Sequence, residues 1–308
     1  MKTRVRWLLV GAVASLAFAP TASFAAEGST AVSIPPGKTA PNATYVAAKT
    51  AIAREYAAAK TGRMPMTTFQ AHEQAFESKW YGPSPKRPNG QAVAYGPCCV
   101  GHDIAVNQYP EPNYYFCGPA AAYSTLQYLG NMTSYQGEAL TQDCLAGTCG
   151  SGAPNSRKYL ETNYWTNVVG GNQKGTPWYV SAADQPFSQS LNYWRTGSYS
   201  GYYINQLPST EADYEFDLYY DIDHYWPVSI DVWEPVNQTH LFNHPANLDI
   251  KHWITTLGYG NYGALTDYVD PAKSSAITWS GPVQAVNYGY ASPSMYTMMS
   301  YNPFGIVW

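Results

Sequence analysis

The spacing of apolar residues divides the chain into a first part with helical periodicity and a later part of short alternating runs. Apolar residues recur every three or four positions in four segments, and this spacing predicts helices. The predicted helices cover residues 44–60, 67–82, 118–129 and 210–225. The third is the best delimited, because Gly118 and Pro119 stand at its start and Gly130 follows its end.

The later part of the chain favours strands. Pro227 stops the fourth helix, and the runs after it alternate or are rich in β-branched and aromatic residues. The predicted strands are PVSIDVW (227–233), HWITTLGYG (252–260), TDYVDP (266–271), AITWS (276–280) and segments of SMYTMMSYNPFGIVW (294–308). A helical half followed by a strand-rich half predicts an α+β fold.

The first residues have the features of a secretion signal. Three basic residues precede the apolar run WLLVGAVASLAFA, which is too short to span a membrane comfortably, and the small residues of SFA precede Ala26. We therefore predict that residues 1–25 are a signal peptide and that the mature protein is secreted, to the extracellular space or the cell envelope. Residues 26–95 are predicted to be a linker and helical segment, which could be a pro-segment, and residues 96–308 the main domain.

The charge of the mature chain is unfavourable for binding nucleic acids. Removal of residues 1–25 changes the formal net charge from −4 to −7, because three of the 17 Lys and Arg residues are lost and none of the 21 Asp and Glu residues. No run of basic residues compensates for this acidity. No later apolar run is long enough to predict a membrane span. Neither a nucleic acid nor a membrane is therefore expected as a partner of the mature protein.

The five cysteines indicate disulfides and one free thiol, since even numbers pair in an oxidising compartment. Cys144 and Cys149, in CLAGTC, are close enough for a local bridge. Cys98 and Cys99 are adjacent, and they could bridge each other or pair with the 144/149 pair. If these four form two disulfides, Cys117 is left over.

Cys117 has a sequence context that suits a nucleophile. It stands at the N-terminus of the predicted helix 118–129, where unpaired backbone N–H groups and the helix dipole favour negative charge. Such a position is one in which a thiol pKa falls and the thiolate becomes available. A thiol nucleophile also needs a base, and a group that orients the base.

His252 and Asp270 could supply the base and its orienting group. His252 opens one predicted strand, and Asp270 lies at the end of the next, after a turn at residues 260–263. If the two strands pair as a hairpin, the ends that carry these two residues come together. Asp267 could compete with Asp270, but it lies three residues nearer the turn.

The pattern Q…CGPAAAYSTLQYLG…PVSIDV…HWITTLGYG…VDP resembles the double-glycine leader peptidases that process bacteriocin precursors, peptidase family C thirty-nine. It is closer to their exported soluble relatives than to the transporter-linked members. The resemblance covers roughly residues 95–285. It implies a papain-like cysteine peptidase fold for residues 96–308, with a peptide or protein as substrate and without a metal or organic cofactor.

Carried over residue by residue, the resemblance gives each candidate a role. Cys117 would be the nucleophile, and His252 the general base and acid. Asp270 would orient the imidazole and stabilise its charged form. Gln108 would donate its side-chain amide to the oxyanion, and the backbone N–H of Cys117 could complete that site.

The sequence leaves three alternatives open. A zinc site could use His240 and His244 together with Asp249 or His252, although Pro245 disfavours a helix that would present both imidazoles on one face. A papain-like fold could also catalyse acyl transfer or cell-wall amide hydrolysis, because these reactions share a thioester. The protein could instead be a non-catalytic, aromatic-rich binding protein, with 28 Tyr and 10 Trp, if Cys117 is bridged. The sequence leaves the oligomeric state open.

Overall fold

The computed structural model describes residues 41–80, 100–149, 159–170, 174–301 and 305–308. The predicted signal peptide (1–25) lies outside these described residues, as do Cys98 and Cys99. The sequence left the disulfide pairing open, and the structure has the local bridge between Cys144 and Cys149, with Cys117 as a free cysteine. A disulfide is typical of proteins that fold in an oxidising environment. Within the described ranges, no helix is both long and apolar enough to cross a membrane.

The described elements mix helices with an antiparallel sheet. The helices are α1 (Ala43–Lys60), α2 (Met66–Trp80), α3 (Cys117–Tyr128), α4 (Thr162–Tyr164), α5 (Pro186–Thr196), α6 (Glu211–Asp223) and α7 (Ser292–Ser300). The strands are β1 (His102–Asp103), β2 (Asn205–Gln206), β3 (Ser229–Glu234), β4 (Ile250–Gly260), β5 (Leu265–Val269), β6 (Val286–Ala291) and β7 (Ile306–Val307). This architecture agrees with the predicted α+β class.

Strand β4 is at the centre of the sheet. The strand order is β2-β7-β3-β4-β5-β6, every pair is antiparallel, and the short β1 also pairs with β4. His252 lies opposite Val232 on β3, and Thr255 lies opposite Val269 on β5. Helices α3 and α6 pack against β4, and its side chains are almost all buried, His252 included.

Helix α3 is attached directly to the two strands β3 and β4. Its residues Ala120, Ala121 and Ala122 are buried, and their small side chains allow a close approach to the sheet. Thr255 Oγ1 on β4 donates to the carbonyl oxygen of Ala121 over 2.9 Å. The hydroxyl groups of Thr125 and Ser229 are 3.2 Å apart. These contacts fix the start of α3 relative to the strand that carries His252.

Helix α1 packs on α6 and on α2, and all three contribute to the same core as the sheet. The ring of Tyr56 lies 5.4 Å from that of Phe216 and 5.2 Å from that of Tyr219. Lys49 is fully buried, with its ammonium group 3.5 Å from Asp221 Oδ1. Both predicted N-terminal helices are therefore present, over Ala43–Lys60 and Met66–Trp80, and they contribute to the core.

Two strand predictions near the C-terminus are wrong. Residues 276–280 form turns, in which the N–H of Ser280 donates to the carbonyl of Ile277. Residues 294–300 belong to helix α7, which has Pro293 in its first turn and buries Met295, Met298 and Met299 at helical spacing. Methionine is a strong helix former, so propensity and periodicity agree with the helix. The short β7 follows, as expected for the end of the chain.

Candidate active site

Cys117 is the first residue of α3, and its side chain is 7% exposed. Phe116, which precedes the helix, makes no side-chain hydrogen bond to the first turn among the described residues. The N–H groups of this turn have no partner inside the helix, and they can interact with a negatively charged group. At Gly118 a Cβ would overlap the side chain of Thr176, so only glycine fits beside the thiol.

His252 contacts both the thiol and a carboxylate. Its Nε2–H donates to Asp270 Oδ1 over 2.9 Å, and the ring also forms a side-chain hydrogen bond with Cys117. Because Nε2 is used by Asp270, Nδ1 is the ring nitrogen that faces the sulfur. The next residue, Trp253, donates its Nε1–H to the carbonyl of Thr176 over 3.0 Å. Thr176 thus contacts both Gly118 on the thiol side and Trp253 on the imidazole side.

Asp270 directly follows β5, and its carboxylate accepts three hydrogen bonds from described residues. The donors are His252 Nε2 and the backbone N–H of Ala272 to Oδ1, and His244 Nε2 to Oδ2, each over 2.9 Å. The hairpin of β4 and β5 brings His252 and Asp270 together, as the strand prediction required. Asp267 points elsewhere, since it accepts from the N–H of Gly289 and interacts with Asp103.

The hydrogen-bond chain continues beyond Asp270. His244 Nδ1 bonds to Glu234 Oε1 over 2.9 Å, and Glu234 Oε2 accepts from the N–H of Leu241 over 2.9 Å. We call His252, Asp270, His244 and Glu234 the imidazole–carboxylate chain. All four residues are buried. Both nitrogens of His244 face carboxylate oxygens, and both must therefore carry a proton, which makes this ring an imidazolium.

Charge and burial shift the pKa values of these groups in different directions. Burial alone would raise the pKa of Asp270, but the charge of His252 and the hydrogen bonds from His244 and His252 outweigh it and hold that pKa well below its ordinary value. Burial would lower the pKa of His252, but the charge and hydrogen bond of Asp270 raise it well above its ordinary range. For His244, burial opposes and hydrogen bonds to Asp270 and Glu234 favour the charged form, which raises the pKa to about 9.

Burial and charge shift the pKa of the Cys117 thiol in directions opposite to those for His252. Burial raises the pKa of Cys117, while the hydrogen bond and charge of His252 act to lower it. The thiolate is therefore favoured only while the neighbouring imidazole carries the proton. Desolvation thus offsets the effect of the helix N-terminus that the sequence predicted to activate the thiol.

Gln108 lies beside the loop that follows Asp270. Its side-chain amide donates to the carbonyl oxygen of Asp270 over 3.1 Å and to that of Lys273 over 3.3 Å. Those bonds hold the amide against the main chain of this loop. To serve an oxyanion at Cys117, Gln108 would have to give them up. Its predicted role in the oxyanion site therefore stays a prediction.

Glu111 is a further titratable residue of this region, and it was not among the candidates predicted from the sequence. It is 2% exposed, and its carboxyl group interacts electrostatically with Cys117, His252, Asp270 and His244. It stands in a loop of Tyr, Pro and Asn residues without periodicity, so no pattern pointed to it. Glu234 and His244 were likewise not assigned to the thiol site, because their contact with Asp270 depends on the path of the 235–249 loop.

Of the residues considered for a zinc site, His244 and His252 lie in one group that could hold a metal ion. His244, His252 and Asp270 offer donor atoms within 4.8 Å of one another. Both Nε2 atoms, however, donate hydrogen bonds to Asp270, whereas ligands of an ion direct lone pairs at a common point. Asp249 instead accepts from Trp233 Nε1. The arrangement of hydrogen bonds suits a proton-carrying chain better than an ion.

No known family model matches the sequence, and no curated protein matches it either. Among solved structures, the protein is similar to xylellain, a cysteine protease from Xylella fastidiosa, with 10% sequence identity and a TM-score of 0.29. The match covers 68% of this chain and 85% of xylellain. A likeness at this level carries no argument about function, so a functional assignment depends on the geometry of the site itself. The resemblance to the double-glycine leader peptidases stays a prediction.

Proposed function

We propose that the protein is a papain-like cysteine peptidase that hydrolyses peptide amide bonds after export from the cell. The observation that carries the proposal is the unbroken contact from Cys117 through His252 to Asp270, with the thiol at the start of a helix. A nucleophile, a base and an orienting carboxylate in this order are the requirements of covalent amide hydrolysis.

The chemistry follows from the side chains. The thiolate of Cys117 attacks the carbonyl carbon of a peptide bond, a C–S bond forms, and the π electrons move to the oxygen. His252, holding the proton taken from the thiol, gives it to the leaving amine as the C–N bond breaks. Water then attacks the thioester with His252 as base, which releases the carboxylic acid and restores the thiol. Asp270 keeps the ring oriented and stabilises its charged form throughout.

The non-catalytic alternative required a bridged Cys117. Within the described part of the chain Cys117 is free, whereas Cys144 and Cys149 are bridged to each other. A free thiol that is hydrogen-bonded to an imidazole has the environment of an activated nucleophile. This favours the enzymatic proposal over a binding module.

Substitution of the thiol tests the proposal. We expect Cys117→Ser to abolish hydrolysis of fluorescently labelled casein and of a peptide library by the purified protein, with an unchanged circular dichroism spectrum and melting temperature. The matched control is Cys144→Ser with Cys149→Ser, which removes the disulfide and should leave the thiol chemistry intact. Hydrolysis that persists in folded Cys117→Ser would refute the assignment of the nucleophile.

Alkylation separates an activated thiol from an inert one without a known substrate. Iodoacetamide should label Cys117 of the non-reduced protein, and His252→Ala should slow this labelling by at least ~10-fold at neutral pH, since the buried thiol then lacks its base and its countercharge. An equal rate of Cys117 labelling in the wild type and in His252→Ala would contradict the proposed pair.

Substitution of Asp270 tests the orienting role of its carboxylate. Asp270→Asn should slow hydrolysis less than His252→Ala does, because it perturbs the orientation of the imidazole while the base is retained.

A further inference from the structure

Glu111 is a buried carboxyl group that is only partly satisfied. Among the described residues, its Oε2 atom has no hydrogen-bond partner. The main chain of the same residue is firmly held, because its N–H donates to the carbonyl of Pro271 over 3.0 Å and its carbonyl accepts from Ser274 Oγ. A buried carboxyl oxygen without a partner costs stability in the free protein. Such an atom is explained if it forms a hydrogen bond with a ligand.

The surroundings of Glu111 are those of the thiol site. It is linked through Pro271 to the loop after Asp270, and the backbone N–H of Phe116, next to Cys117, interacts with its carboxyl group. The titratable groups that face it are Cys117 on α3, His252 on β4, Asp270 after β5 and His244 in the 235–249 loop.

These surroundings favour the neutral form of the carboxyl group up to about pH 7. Burial raises the pKa of Glu111 to about 7 and Asp270 adds to the increase, while the charges of His252 and His244 and the Phe116 N–H act in the opposite direction. A neutral carboxylic acid is a hydrogen-bond donor, which an ionised one is not. An acid kept neutral by its site can stabilise a developing oxyanion.

We propose that Glu111, in its protonated form, donates a hydrogen bond to the substrate carbonyl oxygen that becomes the oxyanion when Cys117 attacks. This rests on the proposed function. As the C–S bond forms, the electron pair of the carbonyl moves to oxygen, and the Glu111 proton stays on its carboxyl group while it bonds to that oxygen. When the amine leaves with the proton from His252, the carbonyl re-forms and the Glu111 hydrogen bond weakens.

The alternative donor, Gln108, is less well prepared for this task. Its amide already donates to the carbonyls of Asp270 and Lys273, whereas Glu111 Oε2 is uncommitted. An ionised Glu111 would be unsuited to the reaction, because its charge raises the pKa of Cys117 and repels an oxyanion. The geometry and the protonation state therefore agree on a donor at this position.

The test compares two reactions of the same thiol in the same protein. Acylation of Cys117 by p-nitrophenyl acetate passes through an oxyanion, whereas alkylation by iodoacetamide does not. The thiolate population affects both rates equally, so their ratio isolates stabilisation of the oxyanion. We would measure both second-order rate constants from about pH 5.5 to 9, and subtract the rate of Cys117→Ser with p-nitrophenyl acetate. Glu73→Gln, at an equally buried glutamate on α2, is the matched control.

The wild-type ratio should fall as pH rises past about 7, because ionised Glu111 cannot donate. Glu111→Gln keeps a donor at every pH, so its ratio should be independent of pH and exceed the wild-type ratio at pH 8.5. Glu111→Ala should lower the ratio by about 100-fold at pH 6, which is the usual cost of losing one oxyanion donor. Glu73→Gln should behave as wild type.

Several results would overturn the proposal. A ratio that rises with pH would mean that the ionised carboxylate acts, and a loss in Gln108→Ala without one in Glu111→Ala would move the role to Gln108. A ratio unchanged in both Glu111 variants, in a protein whose thiol reacts with both reagents, would refute the donor and leave the cysteine peptidase intact. If wild-type Cys117 reacts with neither reagent, the proposed function fails, and this inference with it.

Discussion

The two histidines bound to Asp270 differ in the partner of their second ring nitrogen, although both share one carboxylate. His252 gives Nε2–H to Asp270 and keeps its other nitrogen for the thiol, whereas His244 gives both N–H groups to carboxylates. The charges of Glu234, His244 and Asp270 therefore alternate within a buried region. The imidazolium of His244 partly neutralises the field that Asp270 exerts on His252.

This arrangement predicts that His244 tunes the pKa of His252 from a distance. Without the imidazolium, the charge of Asp270 acts on His252 undiminished and raises its pKa further. The basic limb of the pH profile for peptide hydrolysis, where the His252 imidazolium loses its proton, should then move to higher pH. We expect the shift in His244→Gln combined with Glu234→Gln, measured as the midpoint of the rate against pH.

The double substitution is preferred because it removes both charges together. His244→Gln alone leaves Glu234 buried without its countercharge, which costs about 3–5 kcal/mol when one partner of a buried pair is lost. Asp249→Asn, in the same loop but hydrogen-bonded to Trp233, is the control and should keep the wild-type midpoint. A midpoint that stays fixed or moves to lower pH in the double variant would show that His244 has only a packing role.

At the scale of elements, helix α1 is bound to the core by a buried cation. The ammonium group of Lys49 lies 3.5 Å from Asp221 Oδ1, and 4.1 Å from the ring centroids of both Tyr202 and Trp308. A long polar side chain placed this deeply fixes α1 against the sheet and α6. A pro-segment that is removed on activation would not be expected to bury a residue in this way.

We therefore expect that residues 26–95 are required for stability. Lys49→Ala should lower the free energy of unfolding by about 3–5 kcal/mol in urea titrations followed by circular dichroism, because Asp221 loses its buried countercharge. Lys79→Ala, at an exposed lysine on α2 above the Trp80 ring, should cost less than about 1 kcal/mol. A chain that begins at residue 96 and is both stable and active would instead identify the segment as a removable pro-segment.

The elements of the site follow from local sequence rules to a large extent. The start of α3 at Cys117 is marked by Gly118 and Pro119, and the alternation of β4 and β5 predicts the hairpin that joins His252 to Asp270. Local periodicity is sufficient here because both features are set by residues a few positions apart. Helix α7 was missed because its apolar methionines and aromatics fit a strand as well as a helix when the packing partner is unknown.

The surroundings of the triad could not be predicted in the same way. Glu111, Glu234 and His244 reach the site through loops, and their neighbours are distant in sequence. Gln108 was expected at the oxyanion from the family pattern, but its amide bonds to the main chain after Asp270. The effect of burial on the Cys117 pKa also depends on tertiary packing, which no local pattern contains.

At the scale of the whole molecule, many buried acidic groups make stability depend on pH. Burial raises the pKa of several carboxyl groups above the values of an unfolded chain: Asp217, Asp221, Asp231 and Glu111. Between its unfolded and folded pKa, such a group binds more proton in the native state. Each therefore reduces the free energy of unfolding by up to about 1.4 kcal/mol per pH unit in that range as pH rises.

The raised pKa of His244 also makes the free energy of unfolding fall as pH rises, whereas Asp270 affects it only at low pH. The pKa of His244 is raised to about 9, so its contribution is fully present below about pH 6.5 and is lost as pH rises towards 9. Asp270, whose pKa is lowered, contributes stability that is lost only as pH falls below about 4. The protein should consequently be most stable on the acidic side of neutrality.

Substitution of the single residue Asp217 tests whether buried carboxyl groups make the stability depend on pH. Its Oδ2 accepts from Gln206 Nε2 over 2.9 Å, and its Oδ1 has no hydrogen-bond partner among the described residues. We expect the wild-type melting temperature to fall between about pH 5 and pH 8, and Asp217→Asn to reduce that fall, because an amide keeps the acceptor without a charge to desolvate. Calorimetry at several pH values measures both, with Asp143→Asn as the exposed control that should follow the wild type. The prediction is contradicted if the melting temperature rises towards pH 8, or if the Asp217→Asn profile runs parallel to that of the wild type. Either result would mean that the Asp217 carboxyl group is not held in its neutral form by burial.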